Sequence, residues 1–241
     1  LEDGAVVDQV LYQSGAIAGL RPDTLVIDMS SIEPATARRH GAQVTQQGGG
    51  YLDAPVSGGT RGAEAGALSI MAGGSEVDFH RAAPIFQALG KATHIGPVGS
   101  GQLAKLANQA IVGITIGAVS EALLLAAKGG ARPDKVREAL LGGFAGSKIL
   151  EQHGERMLAR DFEPGAPARI QLKDLRMILD EARAEGLTLP LSQRVFEEYR
   201  ALQASGHGDV DHSGLLLELE RVNGVRLSSG TGEEDPKEEN G

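Results

Sequence analysis

Gly101-Gln102-Leu103-Ala104-Lys105-Leu106-Ala107-Asn108-Gln109 opens an apolar stretch that reads on to Lys128, and it marks where one pattern gives way to another. Upstream, short apolar and β-branched runs predict strands over residues 24–29, 51–56, 68–73 and 93–95. Helical patterns over residues 4–18, 33–47 and 76–89 alternate with them. Such alternation indicates a layered α/β domain. Downstream, only helices are read, over residues 101–128, 133–141, 147–159, 170–185, 190–204 and 213–222. Pro133 and Pro190 stand where helices start, and Gly129, Gly186 and Gly206 where they stop. The expected organisation is an α/β part over residues 1–97, an all-α part over 98–225, and a disordered Gly, Ser, Glu and Lys tail over 226–241.

The opening stretch also holds the chain's most informative chemistry. Leu103, Leu106, Ala107, Ala110, Ile111 and Ile114 recur at helical steps, so Lys105 lies on a helix. Residues three and four apart share a face, which places Asn108 and Gln109 beside Lys105 on an otherwise apolar wall. A lysine in such surroundings loses solvation and becomes able to give or take a proton near neutrality. The same pattern also admits a lysine whose stem packs on the core while its ammonium reaches water.

A second segment, Tyr51-Leu52-Asp53-Ala54-Pro55-Val56-Ser57-Gly58-Gly59, is an apolar strand that runs directly into Ser-Gly-Gly. Strand ends are where α/β sheets bind ligands. Two glycines let the backbone approach an anion closely and aim successive N–H groups at it, with the Ser57 hydroxyl as a further donor. A carboxylate suits such a pocket, and a plain turn suits the same residues.

Composition bounds the possibilities. The 241 residues can bury a substantial core. A formal net charge of -9 argues against a nucleic-acid partner. With no cysteines, disulfides and thiolate chemistry are excluded, which fits a cytoplasmic location. Residues 110–127 come nearest to a membrane span, but Ser120 and Glu121 interrupt them, and they read as a buried core helix without a membrane partner. The six histidines, His40, His80, His94, His153, His207 and His212, show no metal-ligand spacing, and no metal is expected. Asp211-His212-Ser213 reads as a helix start capped by Asp211 or Ser213. Glu233-Glu234-Asp235 is a solvated charge run in the tail.

Taken with Asp28-Met29-Ser30-Ser31-Ile32-Glu33-Pro34, Gly66 to Gly74, Gly142-Gly143-Phe144-Ala145-Gly146-Ser147, Lys173-Asp174-Leu175 and Asp211-His212-Ser213, these two segments resemble the β-hydroxyacid dehydrogenase family. The resemblance covers nearly the whole chain. It implies a Rossmann-like nucleotide-binding domain followed by an all-α domain, and hydride exchange between NAD or NADP and a short β-hydroxy acid or its aldehyde acid. Tartronate semialdehyde, reduced to glycerate, is the substrate that the wording of these motifs favours. 3-Hydroxyisobutyrate, glyoxylate and succinic semialdehyde are alternatives, as are an imine-reducing relative and an inactive module kept for dimerisation or partner binding. The resemblance gives Lys105 the role of proton carrier. It gives Ser57, Gly58, Gly59, Asn108 and Gln109 to the substrate, and Ser31, Lys173 and Asp174 to the cofactor. It also implies a homodimer or homotetramer.

Three departures stand out. Gln109 replaces an asparagine frequent in the family, and Ala166 stands seven positions before Lys173 where many relatives have an aromatic residue. The Gly-x-Gly-x-x-Gly phosphate turn, within about two strand-helix units, is not in this sequence. Gly48-Gly49-Gly50 and the Gly96 to Gly101 cluster read as connections and not as substitutes. The 241 residues are therefore expected to bind nicotinamide dinucleotide poorly by themselves, with the NAD or NADP choice made outside them.

Overall fold

A computed structural model describes residues 1 and 3–228. The chain divides into two compact units: Leu1–Ala110 with Asp174–Leu189, and Ile111–Lys173 with Pro190–Gly241.

The first unit is built on a mixed five-stranded sheet: β1 (Leu25–Asp28), β2 (Gly50–Asp53), β3 (Val56–Ser57), β4 (Leu68–Gly73) and β5 (Gly90–Gly96). Pairing of β1 with β2 is parallel, Leu25 opposite Gly50 through Asp28 opposite Asp53, and β4 with β5 is parallel as well. The single strand expected over 51–56 is divided. After Asp53 the chain leaves β1, and Val56 and Ser57 pair antiparallel with Ile70 and Ser69 of β4. Pro55 sits at the bend, where its missing N–H removes no ladder bond while its carbonyl accepts from Met71 N–H at 2.9 Å.

Successive strand residues face opposite sides of the sheet, so neighbours enter different cores. Tyr51 packs with Val7, Leu11, Ile32, Ala37 and Val44, whereas Leu52 packs with Ile70, Ala72, Ala82 and Phe86. Helices α1 (Gly4–Asp8) and α2 (Pro34–Gln46) supply the first core, and α4 (Glu76–Leu89) the second. Ser75 caps α4 by accepting from Asp78 N–H at 3.1 Å. The helix expected over 4–18 is shorter, because after Asp8 the backbone widens into a π-helical turn (Gln9–Gln13). A six-residue helix not foreseen, α3 (Gly59–Glu64), follows Ser57.

Helix α5 (Ser100–Lys128) begins in this unit and ends in the second. It is long and apolar enough to cross a membrane by length and composition, a test that core helices also pass. Leu106, Ile116, Val119, Leu123 and Leu124 are buried, and Leu103, Ile111 and Leu125 are exposed.

The second unit's described regular elements are helices, joined by turns and loops. α6 (Pro133–Leu141), α7 (Lys148–Ala159), the start of α8 (Ala168–Ala184), α9 (Pro190–Ala204) and α10 (Leu215–Asn223) surround buried Leu123, Met157, Tyr199, Leu202, Leu215 and Leu216. Asp211 caps the 3-10 turn His212–Gly214 through Ser213 N–H, as its place in Asp-His-Ser suggested. Of the expected tail, residues 229–241 lie outside the described residues. Leu227, within its first positions, is buried, its N–H donating to Glu220 and its carbonyl accepting from Arg160.

Candidate functional site

Lys105 lies on the second turn of α5, half-buried, and its Nζ donates to the Val56 carbonyl at 2.7 Å. That carbonyl immediately precedes Ser57. The ammonium is thus held against the strand that ends in Ser-Gly-Gly and is not released to bulk water. Ser57 is partly buried at the end of β3. Gly58 and Gly59 follow with φ of 139° and 62°. Both values lie where a side chain is strained, and a Cβ at Gly58 would also come within 3.1 Å of Leu68 Cδ2. The reversal therefore needs glycine for its backbone. Its consequence is a reversal with Gly58 and Gly59 exposed, directly after the strand residue Val56 that holds Lys105.

One turn further along α5, Asn108 Nδ2 donates to Gln109 Oε1 at 2.8 Å, and Gln109 Nε2 donates to the buried Asp174 carboxylate at 2.7 Å. The longer Gln109 side chain spans to α8, which the sequence could not reveal. This chain of amides fixes the rotamer of Asn108 beside Lys105. Asp174 belongs to the first unit; Lys173, its neighbour in sequence, belongs to the second.

Ser31 lies in the loop after β1, partly exposed, between buried Ser30 and Ile32. The loop is held on three sides. Asp28 Oδ1 accepts from Ser30 N–H at 2.9 Å, Gln102 Oε1 accepts from Ile32 N–H at 3.1 Å, and Gln102 Nε2 donates to the Ser30 carbonyl at 2.8 Å. Tyr51 supports Asp28 with its hydroxyl at 3.3 Å, and burial pushes the Tyr51 phenol well above its ordinary pKa.

Asp53 was read as part of a strand. It is instead the residue that joins strand to helix. Asp53 is fully buried; its Oδ1 accepts at 2.7 Å from the N–H of Gly99, just before α5, and its Oδ2 at 2.9 Å from the N–H of Gln102 in the first turn. Burial pushes its carboxyl up from the ordinary carboxylate range, against the opposing pull of Gly99, Gln102 and Gly101 N–H groups. A Cβ at Gly101 would lie 2.4 Å from the carbonyl oxygens of Asp53 and Met71, so only glycine admits the close approach. The helix start that resembles a phosphate turn is therefore filled by the protein's own carboxylate. The glycine cluster is a packing joint.

The remaining cluster of potential ligands is His153, Asp211 and His212, whose donor atoms lie within 4.8 Å of one another. Both Asp211 oxygens are already engaged, by Ser213 N–H and Oγ–H and by Gly165 and Ala166 N–H, and Arg156 Nε stands 3.6 Å away. A saturated carboxylate beside a guanidinium is suited to fixing the Pro167 to Asp211 bridge. It is poorly suited to a cation.

The loop Ser30–Ile32 lies at a strand end. It follows the carboxyl end of a parallel strand, and its backbone is rigidly held while Ser31 stays accessible.

Comparison with known proteins gives the family. Residues 1–99 match the family profile of the NAD binding domain of 6-phosphogluconate dehydrogenase, and residues 99–219 that described as NAD-binding of NADP-dependent 3-hydroxyisobutyrate dehydrogenase. Among curated relatives, 2-hydroxy-3-oxopropionate reductase of Escherichia coli is 46% identical over 94% of this chain and 78% of its own length. A probable 3-hydroxyisobutyrate dehydrogenase-like protein of Arabidopsis thaliana is 41% identical over 90% of this chain, which spans 65% of it. The crystal structure of 3-hydroxyisobutyrate dehydrogenase from Salmonella typhimurium superposes with a TM-score of 0.83 at 30% identity, covering 90% of this chain and 76% of that one. The Mycobacterium tuberculosis 3-hydroxyisobutyrate dehydrogenase with L-serine gives 0.81 at 33%, covering 91% and 77%.

Proposed function

We propose that this chain, which belongs to the β-hydroxyacid dehydrogenase family of NAD(P)-dependent oxidoreductases, reduces tartronate semialdehyde to glycerate or runs the reverse oxidation. The observation that carries the reading is the placement of Lys105 Nζ on the Val56 carbonyl, next to Ser57 and two glycines in left-handed backbone. The Ser57 hydroxyl and the following N–H groups receive the substrate carboxylate. That places the reacting carbonyl toward Lys105. In reduction the Lys105 ammonium gives its proton to the carbonyl oxygen as the new C–H bond forms, and in oxidation the neutral amine takes the hydroxyl proton. Bound nicotinamide supplies or accepts the hydride. The Val56 carbonyl holds the charged amine in position, and Asn108, fixed by Gln109, offers a hydrogen bond to the substrate's oxygens.

Ser31, Lys173 and Asp174 are the residues assigned to the cofactor. Ser31 would meet the nicotinamide end, and Asp174 acts through the Gln109 amide. A homodimer or homotetramer is proposed through the helical half, where Ile111 and Leu125 are 67% and 76% exposed and Ala118 lies one heptad from each.

Substrate preference is tested by a panel assay of the full-length protein with tartronate semialdehyde, methylmalonate semialdehyde and succinic semialdehyde. A kcat/KM at least about tenfold higher for tartronate semialdehyde is expected, the lower end of what a pocket achieves between substrates that differ by one small group. Equal or reversed preference would assign the protein to another substrate within the family.

A further inference from the structure

We propose that Gln102 is a positioning residue that sets the distance between the proton carrier and the dinucleotide loop. The inference rests on the functional reading of Lys105 and Ser31 given above. Gln102 is fully buried, at 0% exposure, three residues before Lys105 on α5. Each of its polar groups has one defined partner. The backbone N–H binds the Asp53 carboxylate, the side-chain carbonyl accepts from Ile32 N–H, and the side-chain amide donates to the Ser30 carbonyl. Only one orientation of the amide satisfies both loop partners, so the side chain reads the loop's polarity as well as its place. The two bonds straddle Ser31.

The consequence is a closed frame. Asp53 ties α5 to the end of β2, Lys105 ties the next turn to Val56, and Gln102 ties the same turn to the loop after β1. The bonds of the Gln102 side chain go to the loop backbone on either side of Ser31. A shift of the loop relative to α5 changes the separation between Lys105, which would exchange a proton with the substrate, and Ser31, which would meet the nicotinamide end. Misplacement on the order of 1 Å is enough to cost about a hundredfold in rate. Gln102 therefore acts through geometry.

The test uses two variants of the full-length protein, each read by kcat as a function of pH and by a fluorescence titration of reduced dinucleotide. Gln102→Met removes both loop bonds at every pH. It should lower kcat by about ten- to a hundredfold, on the scale of such misplacement, and weaken dinucleotide binding several-fold while far-UV circular dichroism is unchanged. Gln102→Glu keeps the shape. When protonated, its carboxyl donates to the Ser30 carbonyl and accepts from Ile32 N–H as the amide does; when ionised, it sets oxygen against oxygen. Burial raises the pKa of that carboxyl, so its support is present at low pH and lost as pH rises through the raised value. The ratio of variant to wild-type kcat, and the ratio of their dinucleotide affinities, should both fall from pH 6 to pH 9. Should Gln102→Met fail to fold, the Gln102→Glu ratios decide. Flat ratios with unchanged affinity would overturn the positioning role. A wild type that binds dinucleotide yet reduces no aldehyde acid would sink the functional reading instead, and the affinity ratios would still judge Gln102.

Discussion

Replacing Asp53 with alanine should release the start of α5 from the sheet. Two backbone donors, Gly99 N–H and Gln102 N–H, lose their acceptor in a site with no exposure. An exposed helix cap is worth about 0.5–2 kcal/mol, but a buried donor left without a partner costs about 1–3 kcal/mol. Two such donors set the expected loss at about 2–6 kcal/mol, reduced toward the lower end if water enters the vacated space. Total stabilities of about 5–15 kcal/mol make this a large fraction. Asp53→Asn keeps one acceptor and turns an N–H₂ toward a backbone N–H, so it should lie between alanine and wild type. Because the chain has two compact units, local measurement is preferable to a single unfolding midpoint. Native-state hydrogen exchange of the amides at Gly99 to Lys105 reads the opening of this helix end directly. A loss of 2 kcal/mol corresponds to about thirtyfold faster exchange in Asp53→Ala. Protection within a factor of about three of wild type would refute the view that Asp53 holds α5, since threefold is under about 0.7 kcal/mol.

Two other perturbations separate conformational from electrostatic causes. Gly58→Ala should lose more thermal stability than Gly59→Ala, because a Cβ at Gly58 meets Leu68 Cδ2 at 3.1 Å while one at Gly59 meets nothing within 4 Å. Backbone strain alone costs about 1–2 kcal/mol at either, so equal losses in melting experiments would discount the Leu68 contact. Asp211 supplies the pH dependence. Burial by itself would push its carboxyl up, but the His153 ring 3.5 Å away, the hydrogen bonds from Ser213 and the neighbouring His212 outweigh it and hold the group well below the usual carboxylate range. A lowered folded-state pKa stabilises above the unfolded value of about 4 and is lost as pH falls through the folded one. Asp211→Asn should therefore cost about 2–3 kcal/mol at pH 7 and much less at pH 2. Urea unfolding at the two pH values showing the same gap would contradict that ionic role.

The α/β-to-helical change at Gly101, helices α4, α6 and α9, and strand β4 were legible because their hydrophobic periods are long and their ends carry Ser75, Pro133 and Pro190. The helical place of Lys105 and the strand-end place of Ser57 were also legible from residue type and spacing, whereas their roles as proton carrier and anion cradle were implied only by the family resemblance. What the sequence hid is the wiring between elements. Asp53 and Gln102 lie 49 residues apart and meet through a carboxylate and a backbone N–H. Asp53 sits in an apolar run that reads as strand, and Gln102 looks like any polar residue at a helix start. A buried acidic residue ending a strand, with Gly-x-Gly before a distant helix, was the available signal. Gln109 was similarly read as a ligand group, whereas its reach to Asp174 depends on the fold of α8 against α5. The single strand expected over 51–56 overlooks Pro55, which cannot donate to a ladder and sits at the bend between β2 and β3. The switch of partner strand it accompanies is a tertiary property.

Single-turnover reduction of tartronate semialdehyde by Lys105→Ala in the full-length protein, with reduced dinucleotide in excess, probes the proton carrier most directly. Loss of about 10²- to 10⁴-fold in rate is expected, with dinucleotide affinity unchanged, as befits removal of a general acid. A variant that keeps its rate within threefold of wild type would show that the proton comes from elsewhere.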